Sequence, residues 1–162
     1  MASAFVVAAG MWWIYFDHGE RIGSEAIEAS DEPGRLARTA YTWVHLAIIG
    51  GIVLVSVGDK ESLAHPHSAG LTPTIASLGG PVLFLVGTVL FRHILEHRWA
   101  RAQILGIAVL IGVGVLAGGG VLEAVGLAAD SLALSVTAAV ILAGVASGET
   151  IGRLRRGRRS GG

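Results

Sequence analysis

The sequence predicts an all-α, polytopic membrane protein, a bundle of about five spanning helices, and three observations carry that prediction. Hydrophobic residues make up 52% of the chain, charged residues only 15%, and the mean hydropathy is +0.66, a balance unsuited to the surface of a soluble domain. The apolar residues come in long runs instead of stripes with a polar opposite face, so the medium they match is hydrocarbon. The charge is zero in net but segregated, with eleven of the twelve Lys and Arg residues in alternate connections.

Residues 3–17 form the first span, an apolar run closed by Trp12-Trp13-Ile14-Tyr15-Phe16-Asp17. It is short against the roughly 20 residues a helix needs to cross, so the helix is expected either to continue past Asp17 or to begin upstream of Met1. The N-terminus lacks the basic region and small-residue cleavage site of a secretory signal and is counted with the mature chain. Glu20, Glu25, Glu28, Asp31 and Glu32, around Pro33-Gly34, mark the next segment as a loop with a short surface helix. The second span is 39–58, opening with Tyr41 and Trp43. A loop over 59–70 carries Asp59-Lys60-Glu61 and His65-Pro66-His67. The third span, 71–91, contains Gly79-Gly80-Pro81; proline removes a backbone donor and crowds the preceding turn, which predicts a kink. Residues 92–101 read as a basic, aromatic surface segment. The fourth span is 102–118, ended by Gly118-Gly119-Gly120, and the fifth is 127–147. Residues 1–152 thus form one transmembrane helical domain, and 153–162 a basic tail.

Orientation follows from the cations. Arg21, Arg35 and Arg38, then Arg92, Arg98 and Arg101, then the five tail arginines share one side, and Lys60 stands on the other. The positive-inside rule places the C-terminus in the cytoplasm and the N-terminus outside, with Trp12, Trp13, Trp43 and Trp99 in the inner interfacial belt.

W-W-x-Y-F-D closing a helix, Tyr41-x-x-x-His45 opening the next, then Gly50-Gly51-Ile52, Gly58-Asp59 and His65-Pro66 together resemble the bacterial low temperature requirement A (LtrA) family. The resemblance covers residues 5 to 105, and the last two helices by hydropathy alone. Members of that family are longer and carry an earlier E-L-F-F-D motif that this sequence lacks. The resemblance therefore implies a bacterial inner-membrane protein corresponding to a C-terminal half. The family name records a growth phenotype in the cold and implies no reaction.

Four polar residues in or just beyond the spans are candidates for a proton or ion relay: Asp17, His45, Tyr41 and Arg92. An ionisable group within a span costs about 2.5–3.5 kcal/mol on insertion scales, so it faces a partner or a water-filled cavity. Asp17 is either such a group or an interfacial cap on its helix. His45 lies seven residues past Arg38, about 10 Å deeper at 1.5 Å per residue. Arg38, Tyr41 and His45 share a face, and an Asp17–His45 contact on the cytoplasmic side would favour the charged imidazole. The alternative is that His45 only bonds helices together. Arg92 pairs with Glu96 at i, i+4 or reaches inward to Asp17.

His93 and His97 have metal-ligand spacing, but two ligands on a surface helix do not make a site, and His65 and His67 read as an ordinary turn. Gly114/Gly118 and Gly144/Gly148 are G-x-x-x-G pairs, suited to close packing within the bundle or to a homo-oligomer face. The lipid bilayer, a missing N-terminal half and a second copy are the expected partners, and nucleic acid is not. The arginine tail is a topology determinant attracted to anionic lipid. Cysteine is absent, which excludes disulfides and thiol chemistry. No nucleotide, zinc-protease or serine-hydrolase motif occurs, so neither enzyme activity nor a cofactor is expected. Two function classes remain open: movement of a proton, ion or small solute, and a non-transporting assembly module of a larger membrane protein.

Overall fold

The computed structural model describes residues 2–16, 32–65, 67–68, 70–96, 99–127 and 129–160, without the side chains of 153–160. These residues form helices α1 (Ala2–Phe16), α2 (Pro33–Ala64), α3 (Leu71–Glu96), α4 (Arg101–Gly118), α5 (Val121–Ala124) and α6 (Ser131–Ser160), and no strand among them. Four of them, α2, α3, α4 and α6 over Ser131–Gly152, are long and apolar enough to cross a membrane.

Helix α3 is the centre of the bundle, with 61% of its apolar window buried against 22% for α2 and α4. It packs on α2, α4 and α6, while α1 lies mainly on α6. In α1 the buried residues are Val7, Gly10, Met11 and Ile14, an i, i+3, i+4, i+7 stripe. A Cβ at Gly10 would stand 3.4 Å from Leu142 Cβ, which sets how closely α1 approaches α6. At 15 residues α1 is about 22 Å long, short of the hydrocarbon thickness. The outward faces carry Phe5, Leu46, Ile49, Val53, Leu105, Val115 and Val140, all exposed, as lipid-facing helices require.

The α2–α3 contact is the most extensive in the molecule. It is a seam of two glycine pairs, each pair seven residues apart: Gly51 and Gly58 on α2, Gly80 and Gly87 on α3. A Cβ at Gly51 would lie 2.5 Å from the Phe84 nitrogen, and at Gly80 2.5 Å from the Val55 nitrogen. At Gly58 it would run into the Ala76 carbonyl. The backbones themselves touch, which dispersion between packed helices rewards in lipid. Gly114 and Gly118 also turn inward, toward Leu78, Thr74 and Leu71 of α3, whereas Gly144 has no neighbour within 4 Å.

Helix ends differ from the expected spans for one reason: hydropathy marks the edge of the lipid, not the end of the helix. Pro33 starts α2 ahead of residue 39, since at the first helical position its missing N–H is no loss. The same helix runs on through Asp59, Lys60 and Glu61, which the sequence places in a loop. Arg92 to Glu96 likewise belong to α3, which continues unbroken through Pro81. The last helix begins at Ser131, not near 127, and continues to Ser160 through part of the expected tail. Gly120 (φ +72°) and Gly126 (φ +78°) bracket the single turn α5 in left-handed conformations that only glycine adopts without strain.

Asp130 fixes the start of α6. Its Oδ1 accepts the Ala133 N–H at 2.9 Å and its Oδ2 lies 3.1 Å from His67 Nδ1. The Ala133 N–H, and after it His67, hold the Asp130 carboxyl below its ordinary value of 3.8. A carboxyl depressed on folding adds stability above the unfolded value, and that stability is lost as pH falls through the folded value. Thermal unfolding in detergent should therefore show the wild type losing stability below about pH 4, with Asp130→Asn, which keeps a cap, losing less over the same range. Asp130→Ala should lose about 1 kcal/mol at neutral pH. Beside this cap, Ser68 and Ser131 hydroxyls are 2.8 Å apart and Ser62 and Ser135 hydroxyls 2.9 Å, tying the α2–α3 connection and α2 itself to α6 at this end.

Candidate functional site

The opposite end of the bundle holds the polar residues singled out from the sequence. Thr39–Val44 forms a π-helical stretch inside α2. Its residues, Thr39-Ala40-Tyr41-Thr42-Trp43-Val44, are mostly β-branched or aromatic and weak α-helix formers. Wider π-turns are frequent at functional sites. Here the stretch leaves the Ala40 carbonyl 3.2 Å from the imidazole Nδ1 of His45, five residues on.

His45 sits half-buried in a box of three rings from three helices. Tyr41 stacks on it, with centroids 5.1 Å apart and planes 21° from parallel. Phe91 of α3 meets it edge-on at 5.1 Å, and Tyr15 of α1 at 5.7 Å. The Tyr15 hydroxyl is 2.6 Å from His45 Nε2. The tautomer follows from the partners. A carbonyl only accepts, so Nδ1 carries the proton toward Ala40, and in the neutral ring Nε2 accepts from the Tyr15 hydroxyl. The result is a directed chain: Tyr15 O–H to imidazole to Ala40 carbonyl. Both ring nitrogens are engaged. Asp17 lies outside the described residues.

Arg92 turns to a different face of α3. Its Nη1 lies 2.6 Å from Glu149 Oε1 of α6, and its Nε 3.9 Å from Glu96. The Arg92 side chain is 15% exposed and that of Glu149 5%, so this is an ion pair withdrawn from solvent. One turn earlier on α3, where it meets α4, the Thr88 hydroxyl lies 3.0 Å from the Leu85 carbonyl and 3.3 Å from the Oε1 of fully buried Gln103. One residue past Glu149, the Thr150 hydroxyl accepts the Trp13 indole N–H at 3.1 Å, tying α1 to α6. The His93 ring stacks on Trp99 at 4.1 Å.

Of the four candidates, Tyr41 and His45 are in direct contact, and Phe91, the neighbour of Arg92 in sequence, completes their box. Two participants escaped sequence reasoning. Tyr15 belongs to the aromatic cluster that closes the first span, and Glu149 lies two residues past the expected end of the last; the signal for Glu149 is that it is an acid ahead of a run of arginines. The histidines of the α2–α3 connection each face a carboxylate. His65 lies 3.2 Å from Glu61 and His67 faces Asp130, while His97 is outside the described residues.

An uncharacterized protein, RA0937, of Rhizobium meliloti (strain 1021) is 36% identical over 108 residues, 66% of this chain and 26% of that protein. The chain thus spans about a quarter of the length of the curated relative it matches. No solved structure matches it. The family model described as bacterial low temperature requirement A protein matches residues 1–147, extending the resemblance from the W-W-x-Y-F-D and Tyr41-x-x-x-His45 motifs across α4 and most of the apolar part of α6. A match over so much of the chain, on an all-helical membrane bundle, settles the family: the chain belongs to LtrA.

Proposed function

We propose that this integral membrane protein contributes a proton-relay station, with His45 as the group that takes up and releases the proton. The observation that carries the reading is the Tyr15–His45–Ala40 hydrogen-bond chain, which joins α1 to α2 inside an aromatic box. When a proton reaches Nε2, the imidazolium donates to the Tyr15 oxygen and the phenol proton swings away, so the hydrogen bond reverses without breaking. Nδ1 keeps its proton on Ala40 in both states. The stacked Tyr41 ring offers its electron-rich face to the cation, worth about 0.5–2 kcal/mol. Arg35, Arg38 and Arg101 lie at the same end of the bundle, and by the positive-inside rule that end faces the cytoplasm of a bacterial cell membrane, with the C-terminus inside.

A second reading is supported by Arg92–Glu149 and Trp13–Thr150, which lock helices together: a module with no flux of its own that assembles with further chain. Proteoliposomes holding a pH gradient separate the two. The relay predicts that wild-type protein dissipates the gradient, that His45→Ala slows dissipation about tenfold or more, and that Tyr15→Phe slows it less, because the ring remains. Well-folded wild type that leaks no faster than empty vesicles would overturn the relay in favour of the module.

A further inference from the structure

Near the other end of the bundle, a narrow cleft opens between α1, α2, α3 and α6. Asp59, Ser77, Pro81 and Ser135 line it, with Val7 and Val55 as apolar wall. Asp59 is the one charged residue in that lining. It stands five residues before the end of α2, about 8 Å inside the helix, and Ser77 about 9 Å inside the start of α3.

The residues that line it carry three kinds of oxygen. The first is the Asp59 carboxylate, to which no described residue donates a hydrogen bond. The second comes from Pro81. A helical carbonyl accepts from the N–H four residues on, and proline has none, so the Ser77 carbonyl is left without its helical donor within a helix that stays continuous. The third is hydroxyl oxygen, and its direction can be worked out. Each serine hydroxyl has one hydrogen. Ser62 lies 3.3 Å from the Ser131 carbonyl, which only accepts, so Ser62 spends its hydrogen there. Ser135, 2.9 Å from Ser62, must then donate to it, which keeps the Ser135 lone pairs for another partner. Ser77 is itself buried, and its hydroxyl adds a further oxygen.

We propose that this cleft binds a monovalent alkali cation of the sodium class through the Asp59 carboxylate, the Ser77 carbonyl freed by Pro81, and the Ser77 and Ser135 hydroxyls. Oxygen-only donors select hard cations. A single carboxylate is neutralised by one positive charge, whereas a divalent ion would leave net charge in a low-dielectric site. Helix carbonyls released from their own ladder serve membrane proteins as sodium ligands for the same reason. The site does not depend on the His45 relay, since it is read as binding at equilibrium, with no flux.

The test is saturable binding of radioactive sodium to the purified full chain in detergent, with choline replacing sodium at constant ionic strength. Wild type should bind saturably. Asp59→Asn should lower the affinity at least about tenfold, the weight of one charged ligand. Pro81→Ala returns an N–H to the Ser77 carbonyl in a helix that alanine favours, so it should weaken binding severalfold while leaving the fold intact; Ser77→Ala should act in the same direction. Absence of saturable sodium binding by folded wild type overturns the proposal. So does undiminished binding by folded Asp59→Asn, or by Pro81→Ala and Ser77→Ala together should Asp59→Asn fail to fold. Stabilisation by acid alone, without sodium binding, would reduce Asp59 to a protonated carboxyl and equally overturn it.

Discussion

Replacing Glu149 with alanine is expected to destabilise the bundle by about 3 kcal/mol, because it leaves the Arg92 guanidinium withdrawn from solvent without its closest counter-charge. Glu96, at 3.9 Å, is too far and too exposed to take over the 2.6 Å contact. The loss is that of an uncompensated charge more than of a favourable bond, so a second replacement should undo most of it. In Arg92→Met with Glu149→Leu the desolvation of both ions disappears, and stability should return to within about 1 kcal/mol of wild type. Reversible unfolding in detergent of the wild type, Arg92→Met, Glu149→Leu and the double variant gives the double-mutant cycle. If the single and double replacements proved equally destabilising, Arg92 and Glu149 would matter for packing and not as a pair. His45-dependent flux should survive in the double variant, because Tyr15, Tyr41, Phe91 and the Ala40 carbonyl are untouched.

The contrast between Arg92 and His45 shows what could be read from the sequence and what could not. The bundle was legible because lipid imposes its demand on every span separately, as length and hydropathy, and those are one-dimensional properties. The ends were less so: Asp59 and Glu149 lie past the apolar windows yet within the helices, since a polar residue ends contact with lipid without ending the hydrogen-bond ladder. Within the site, Tyr41 and His45 belong to one helix, and spacing alone put them together. Tyr15 and Glu149 arrive from other helices, and nothing in a single sequence says which ring or which acid will face His45 or Arg92. The π-helical stretch that brings the Ala40 carbonyl to His45 was illegible too, because weak helix propensity at Thr39–Val44 announces trouble for an α-helix without naming its remedy. The glycine seam was half visible. Gly50-Gly51 and Gly58 stand among the motif residues and the G-x-x-x-G pairs predict close packing, whereas the closest approach uses glycines seven apart.

That seam carries the second large effect. Gly58→Ala should destabilise the protein by about 3 kcal/mol or more, the upper range for overpacking, because its methyl group meets the Ala76 backbone and no rotamer change can relieve it. Helix propensity works the other way: alanine is better than glycine in a helix by about 1 kcal/mol, so the intrinsic preference alone predicts stabilisation. Gly144→Ala isolates that preference, since a Cβ there meets nothing within 4 Å. The two substitutions are chemically identical and should change stability in opposite directions, Gly58→Ala lowering the unfolding temperature and Gly144→Ala leaving it unchanged or raising it. Equal effects from both would mean that α2 and α3 do not meet backbone to backbone. The seam also bears on both polar sites. Forcing α2 from α3 parts His45 from Phe91 at one end and Asp59 from Ser77 at the other, so any folded Gly58→Ala protein should show weakened sodium binding and slowed proton flux together. A variant that lost stability while keeping both would show that the two sites tolerate a shift of the helices away from the close approach at Gly51, Gly58, Gly80 and Gly87.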